Sequence, residues 1–214
     1  MKYLSLALAL ALSPALADET ADTPLTINGC TIVAQGKCPN AKLRGADLSN
    51  QDLSRMDLSG ADLRDANLRH ARLDLANLEK ADLRGANLTR ASLQQSNLRL
   101  ARLQKASLVA VQAWGVFAQG ANFDEADLSA AYLEFGRLSG ARLQGSRLQA
   151  ADLEMTWLSK ADLKGANLMD ANLQEAKLGE SNLEGADLRG TRQHYANFQD
   201  SNMEGCKGCP ASWD

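Results

Sequence analysis

From Ala41 to Gly205 the chain repeats every five residues, thirty-three times, with no insertion or deletion. The stretch Ala81-Asp82-Leu83-Arg84-Gly85-Ala86-Asn87-Leu88-Thr89-Arg90 holds two copies of the unit. The leucine is its centre, the alanine two residues earlier its small position, and the other three positions face outward. Leucine fills 27 of the 33 centres and alanine 22 of the 33 small positions. No Lys, Arg, Asp, Glu or His occurs in those 66 slots, so all 42 charged residues of the region fall on outward positions. Segregation of that kind defines an inside and an outside.

The apolar spacing runs 2, 3, 2, 3. It fits neither the 3.6 of a helix nor the unbroken 2 of a long strand. Within one unit the small position and the centre point the same way, as alternate residues of an extended segment do, and the extra residue has to turn the chain. Frequent glycine at the last position, as at Gly45, Gly60, Gly85, Gly140, Gly165 and Gly185, suits such a corner. A chain that runs straight, turns and repeats is a solenoid.

Ala61-Asp62-Leu63, Ala86-Asn87-Leu88, Ala161-Asp162-Leu163-Lys164-Gly165 and their neighbours resemble the pentapeptide-repeat proteins, over about four-fifths of the chain. The resemblance implies an all-β fold, a right-handed quadrilateral β-helix with four units to a coil; a period of five does not by itself specify four sides. Thirty-three units then make about eight coils, and at roughly 4.8 Å per coil the rod is on the order of 40 Å long. Leu63, Leu83, Leu103, Phe123, Leu143, Leu163 and Leu183 form one interior column. Alanine at the small position follows from space, because a narrow tube has no room for two large side chains per side.

Residues 1–17 read as a signal peptide: Lys2, an apolar run from Leu4 to Leu12, and Ala15-Leu16-Ala17 as a small-x-small cleavage signature. The mature chain is expected to start at Asp18 and to be periplasmic or secreted. The run is well short of the roughly 20 apolar residues of a spanning helix. No cysteine follows Ala17 to carry a lipid, so no stable membrane anchor is expected after cleavage. The mature chain carries 22 basic and 26 acidic residues, a net −4, which is too mild to name a partner. Residues 41–110 are net +4 and 111–205 net −6, a drift compatible with a solvated surface or with an end-to-end homodimer.

The ends of a solenoid have to be sealed, and the four cysteines lie there. The expected organisation is an N-terminal cap over 18–40, the β-helix over 41–205 and a C-terminal cap over 206–214. A rod of about 40 Å leaves one pairing, Cys30 with Cys38 and Cys206 with Cys209, because bridged Cα atoms lie within roughly 7 Å. Ile27, Ile32 and Val33 are placed to cover the core at the start, and Trp213 at the finish. Cys206-Lys207-Gly208-Cys209 has the spacing of a redox motif without the βαβ context that would support it. His70 and His194 are too far apart in register for a zinc site, and no metal or cofactor is expected.

The repeat fails most at Val111-Gln112-Ala113-Trp114-Gly115-Val116-Phe117-Ala118-Gln119-Gly120. Two centres exchange Leu for Ala and two small positions exchange Ala for Val, which roughly conserves interior volume, so these residues are kept in the coil. Trp114 and Phe117 then face outward. Counting by twenty stacks Phe117, Arg137 and Trp157 on one side, with Lys177 following. Trp114 gains Tyr132, Phe135 and Met155 as neighbours on the adjacent side. Exposed apolar patches mark interaction surfaces, and a cation between rings is a favourable arrangement; infill of grooves at Gly115, Gly120, Gly136 and Gly140 is the structural alternative. Arg137, Arg142 and Arg147 fall on three different sides. A second break, Thr191-Arg192-Gln193-His194-Tyr195, reads as a fraying final coil.

These features point to an exported, non-catalytic scaffold that binds a protein or a glycan of the cell envelope through the aromatic patch. No nucleophile with a base is defined by the sequence, so no catalytic residue is assigned; a site in a groove of the solenoid is the remaining enzyme reading. The resemblance also brings in relatives that imitate DNA and inhibit gyrase, but an export signal and a charge of −4 argue against a nucleic-acid role. Thr89 is the lone outward threonine of the units, which removes an ice-binding face.

Overall fold

The computed structural model describes residues 24–211. Asp62 pairs with Asp82, Asn67 with Asn87, Arg72 with Ser92 and Asn77 with Asn97, and every such parallel rung joins residues twenty apart. Twenty residues are four units, so the coil has four sides, and its hand is right. Side 1 carries the centres Leu63, Leu83 and Leu103, side 2 Leu68 and Leu88, side 3 Leu73 and Leu93, and side 4 Leu78 and Leu98; each column continues at intervals of twenty.

One unit shows how the backbone is satisfied. Asp82 N donates to Ala61 O of the previous coil (2.9 Å), while Leu83 N and Gly85 N donate to Arg102 O (2.7 Å) and Gln104 O (3.1 Å) of the next. Ala86 N closes the turn onto Leu83 O at 3.0 Å. The residue at the unit's last position has positive φ at every fifth residue from Gln35 to Gly205, glycine or not. With negative φ before it, this is the signature of a type II turn. Only the N–H of the fourth position, here Arg84, is left over by the ladder, and Asp82 Oδ1 accepts it at 3.4 Å.

That last contact explains the Asp or Asn before each leucine. All 19 of them within the units accept the N–H two residues on, from Ser49 N on Asp47 to Glu204 N on Asn202. Six of the ten asparagines do more, because their amides also donate to the residue one coil earlier. Asn97 donates to Asn77 and Asn77 to Asp57; Asn202 donates to Asn182 and Asn182 to Asp162. An aspartate has nothing to donate and therefore stands at the start of each such run.

The interior is a continuous column of buried leucine and alanine. The ten residues 111–120 stay in the coil without a bulge, with Val111, Ala113, Val116 and Ala118 all buried. Phe123, the largest fully buried side chain, follows directly and adds volume beside the two shortened centres. The bulk of Val116 is met one coil on by Gly136, where an added Cβ would lie 3.5 Å from Val116 Cγ1 and 2.7 Å from Leu133 O.

At the N-terminal end β1 (Thr26–Ile27) and β2 (Cys30–Thr31) pair antiparallel. Asn28 and Gly29 both have positive φ between them, the tight hairpin turn that an Asn-Gly pair favours. Asn28 Nδ2 ties the hairpin to Lys42 O at 2.7 Å. Ile32 is buried over the core and Ile27 packs against it, while Val33, at the open end, is 37% exposed, with its Cγ2 beside Gly36 and buried Met56. Cys30 is bonded to Cys38, with Cα atoms 5.6 Å apart. The coil starts before Ala41, since Lys37 already forms a rung with Asp57 and Cys38 takes a centre's place.

At the other end Cys206 is bonded to Cys209, and Lys207 adds a rung to Asp187. Gln193, read above as the mark of a fraying coil, closes this end: its amide donates to Thr191 Oγ1 at 2.6 Å and to Gly208 O at 2.8 Å. Residues 1–17 and Trp213, assigned above to a signal peptide and a lid, lie outside the described residues.

Candidate functional site

The corner between sides 3 and 4 is built by the units from Val111 to Lys177. Trp114 and Phe135 occupy turn positions of side 3 in successive coils, 42% exposed each, and meet edge to face with centroids 5.9 Å apart. Tyr132 is exposed on the flat of side 3 and Met155 is half-buried at the same corner. Across the corner, Phe117, Arg137, Trp157 and Lys177 fill the first outward position of side 4 in four consecutive coils.

These side chains form one stack along the rod. Arg99 and Arg137 cover the two faces of Phe117, with guanidinium carbons 5.0 and 5.2 Å from the ring centroid. Arg137 also lies 5.9 Å from the Trp157 centroid, and Lys177 Nζ lies 4.4 Å from it. The order is cation, ring, cation, ring, cation. Counting by twenty identified all of it except Arg99, which sits two residues past the column and leans in from a turn. Its signal in the sequence is a spacing of 18, the separation at which Ser107 and Thr89, Arg142 and Asp124, and Gln144 and Asp162 also meet.

The rings are not among the nearest neighbours of a Cβ built at the corner's glycines. The space beside Gly120 is taken by Leu100, that beside Gly115 by Gln95, and that beside Gly136 by Leu133, Leu138 and Val116; nothing lies within 4 Å of a Cβ built at Gly140. What the corner gives up is backbone capping. Phe117, Arg137, Trp157 and Lys177 stand where Asp or Asn would accept the N–H two residues on. The N–H groups of Gln119, Ser139, Ser159 and Gly179 consequently find no acceptor among the described residues. At two other uncapped units the cap is replaced, Asp74 Oδ1 taking Gln94 N and Asp124 Oδ1 taking Gln144 N, each at 3.0 Å. Scattered units such as those of Arg44, Gln104 and Gln149 are also uncapped, but side 4 has four uncapped units in consecutive coils.

Charge is distributed unevenly around the corner. Arg142 and Arg147 are paired with Asp124 and Asp127, at 2.6 and 3.8 Å. Among the described residues no carboxylate lies within 4.0 Å of Arg99, Arg137 or Lys177. Side 3 is acidic beside Trp114, where desolvation, then the charges of Asp152 and Glu154, raise the Glu134 carboxyl above its ordinary value. Asn172 holds Asp152 and Glu154 together, donating to each at 3.0 and 2.9 Å. The arrangement offers cations, ring edges and N–H donors for binding.

Other surfaces are organised differently. A groove of about 570 Å³ at the corner of sides 1 and 2 is lined by Arg64, Arg84, Gln104, Lys105, Asp124 and Glu125. Arg64 binds Asp62 through two bonds of 2.7 and 2.6 Å and holds its carboxyl down at about 2. His194 stacks on Tyr195 with centroids 3.7 Å apart, and His70 sits at a corner of side 2. Among the described residues no group of three or more His, Cys, Asp or Glu could hold a metal ion.

Comparison with known proteins follows the coil. The pentapeptide-repeat family model matches residues 41–79, 81–112, 106–145, 126–165 and 166–206, in 8 copies. Among solved structures the chain is similar to HetL, a pentapeptide repeat protein involved in heterocyst differentiation regulation in the cyanobacterium Nostoc. The identity is 30%, covering 81% of this chain and 87% of that one, with a TM-score of 0.46. It is also similar to QnrB1, a plasmid-mediated fluoroquinolone resistance protein, at 19% identity over 80% of this chain and 87% of that one, with a TM-score of 0.50. No curated protein matches the chain. With the repeat, the four-sided coil and the family model in agreement over most of its length, the chain belongs to the pentapeptide-repeat family.

Proposed function

We propose that the chain is an exported, non-catalytic scaffold that holds a partner of the cell envelope at the corner of sides 3 and 4. The observation that carries this reading is the coincidence, in the same coils, of exposed rings with the loss of the Asp/Asn caps. Each absent cap forgoes on the order of 1 kcal/mol per hydrogen bond, and here four consecutive units of one side forgo it. Export is supported by the signature of residues 1–17 and by cysteines paired at both ends, which suits an oxidising compartment.

Of the two partner classes, a protein fits the corner better than a neutral sugar. Sugars stack on open ring faces, and two cations lie within about 6 Å of the centroid of each of Phe117 and Trp157. The test is a cross-linked pull-down from envelope extract with the parent chain and with Trp114→Ala/Trp157→Ala. Partners recovered only by the parent support the reading. Identical partners on both baits remove the corner from consideration. Cell fractionation and N-terminal sequencing test export, and a mature terminus other than Asp18 would refute the assigned cleavage.

A further inference from the structure

We infer that side 4 docks an acidic segment in the polyproline II conformation, with a carboxylate at every third residue; the inference rests on the reading of this corner as the binding surface. Three features of this corner select that occupant. The first is charge. Arg99, Arg137 and Lys177 flank the two rings of the stack in turn, with no carboxylate within 4.0 Å among the described residues. Glu134 and Glu154 sit across the corner on side 3, Glu175 stands at the corner beside Lys177, and Glu180 on side 4 is paired with Lys160 at 3.4 Å.

The second feature is period. Successive cations of the stack are two coils apart, with one ring between them, which at the spacing of β rungs is about 9.6 Å. A polyproline II helix rises about 3.1 Å per residue with three residues per turn, so its i and i+3 side chains share a face roughly 9.3 Å apart. An extended β strand repeats its faces at about 6.7 Å, roughly 3 Å short of the middle cation, which it misses. Carboxylates at i, i+3 and i+6 would each meet a cation, and the intervening proline rings would lie against the edges of Phe117 and Trp157.

The third feature is the row of open donors. The N–H groups of Gln119, Ser139, Ser159 and Gly179 run beside the stack, one per coil, without acceptors. Polyproline II makes no internal hydrogen bonds, so its carbonyls are free to accept. The shelf they would occupy carries small residues at Gly120, Ser139, Gly140, Ser159 and Gly179, and is bordered further on by the Lys160–Glu180 ion pair. It deepens towards its C-terminal end into a groove of about 530 Å³ lined by Ser159, Glu175, Lys177, Gly179, Tyr195 and Asn197.

Fluorescence anisotropy of the purified protein with labelled peptides tests this. (Glu-Pro-Pro)5 should bind at least tenfold more tightly than (Glu-Pro)5, which has equal charge at the wrong period, and (Lys-Pro-Pro)5 should not bind. Arg137→Gln should weaken (Glu-Pro-Pro)5 by about tenfold, as expected for one charge-assisted bond. Arg147→Gln, the same charge change on side 2, should leave it unaltered. Equal affinity for the two acidic peptides would reduce the surface to nonspecific attraction and overturn the inference. So would an Arg137→Gln variant that binds like the parent, or binding of an acidic polysaccharide with no binding of any peptide. If the peptides fail while the pull-down still depends on Trp114 and Trp157, the corner remains the binding surface and only its assigned occupant falls.

Discussion

At the scale of the residue, each unit depends on one left-handed turn position and one side-chain cap. Glycine suits the turn, yet Ala110 holds φ of 54° and Arg90 of 57° in the same place. Left-handed backbone costs an L-residue about 1–2 kcal/mol, and glycine returns roughly 0.5–1 kcal/mol of that through unfolded-chain entropy. Ala110→Gly should therefore be neutral to stabilising by up to about 1 kcal/mol in chemical denaturation. Gly85→Ala should be destabilising by about 1 kcal/mol or more, because its Cβ also lands 2.7 Å from Asp65 Oδ1. The cap gives a graded series. Asn97 accepts Arg99 N at 3.1 Å and donates to Asn77 at 3.0 Å. Asn97→Ala loses both bonds and should cost about 1–3 kcal/mol, whereas Asn97→Asp keeps the acceptor and should cost less. If Asn97→Asp unfolds at the parent's denaturant concentration, the amide ladder contributes nothing; if it unfolds with Asn97→Ala, the cap contributes nothing.

At the scale of the element, the sides differ in what they ask of solvent. Asp62 on side 1 and Asp187 on side 2 have carboxyls held at about 2, against an ordinary 3.8, chiefly by hydrogen bonds from Arg64 and Arg189. The unfolded chain binds these protons first as pH falls, so their contribution is whole above about 3.8 and is lost on the way down to about 2. Asp47, Asp52 and Asp57 are lowered in the same direction by their serine partners. Thermal midpoints should thus decline between pH 4 and pH 2, and Arg64→Gln should flatten part of that decline. Glu134 runs the opposite way, since protonation relieves its buried charge. How legible these elements were follows from what they rest on. The inside and outside of each side were readable because charge is absent from two positions in five. The stack of Phe117, Arg137, Trp157 and Lys177 was readable once a coil of twenty was assumed. Arg99 escaped because it reaches its ring from a turn, and the open N–H row escaped because it is defined by acceptors that are missing. The hairpin was overlooked although Asn28-Gly29 carries its usual signature.

At the scale of the molecule, each coil touches only the coils before and after it, so stability is close to a sum of neighbours. This makes length adjustable in steps of one coil and not in steps of one unit. Deleting residues 61–80 would place Asn87 over Asp47 and Asn97 over Asp57, which recreates the amide bonds now made by Asn67 and Asn77. Such a chain should fold, with an m-value lower by about one part in eight and a nearly unchanged midpoint, because m follows the surface exposed on unfolding. Deleting only residues 61–65 preserves the inward pattern but turns everything after it by one side. Asn67 then lies over Lys42 and loses its acceptor, and Asp82 lies over Asp57, two acceptors with no donor between them. The smaller deletion should consequently have the lower denaturation midpoint. Adding Asp82→Asn restores a donor towards Asp57 and should recover about 1 kcal/mol. In the full-length chain the same substitution removes the partner of Arg84, with which Asp82 makes bonds of 2.8 and 2.7 Å, and should not stabilise. Equal midpoints for the two deletions would mean that the outward ladders do not set register and that the leucine column alone does.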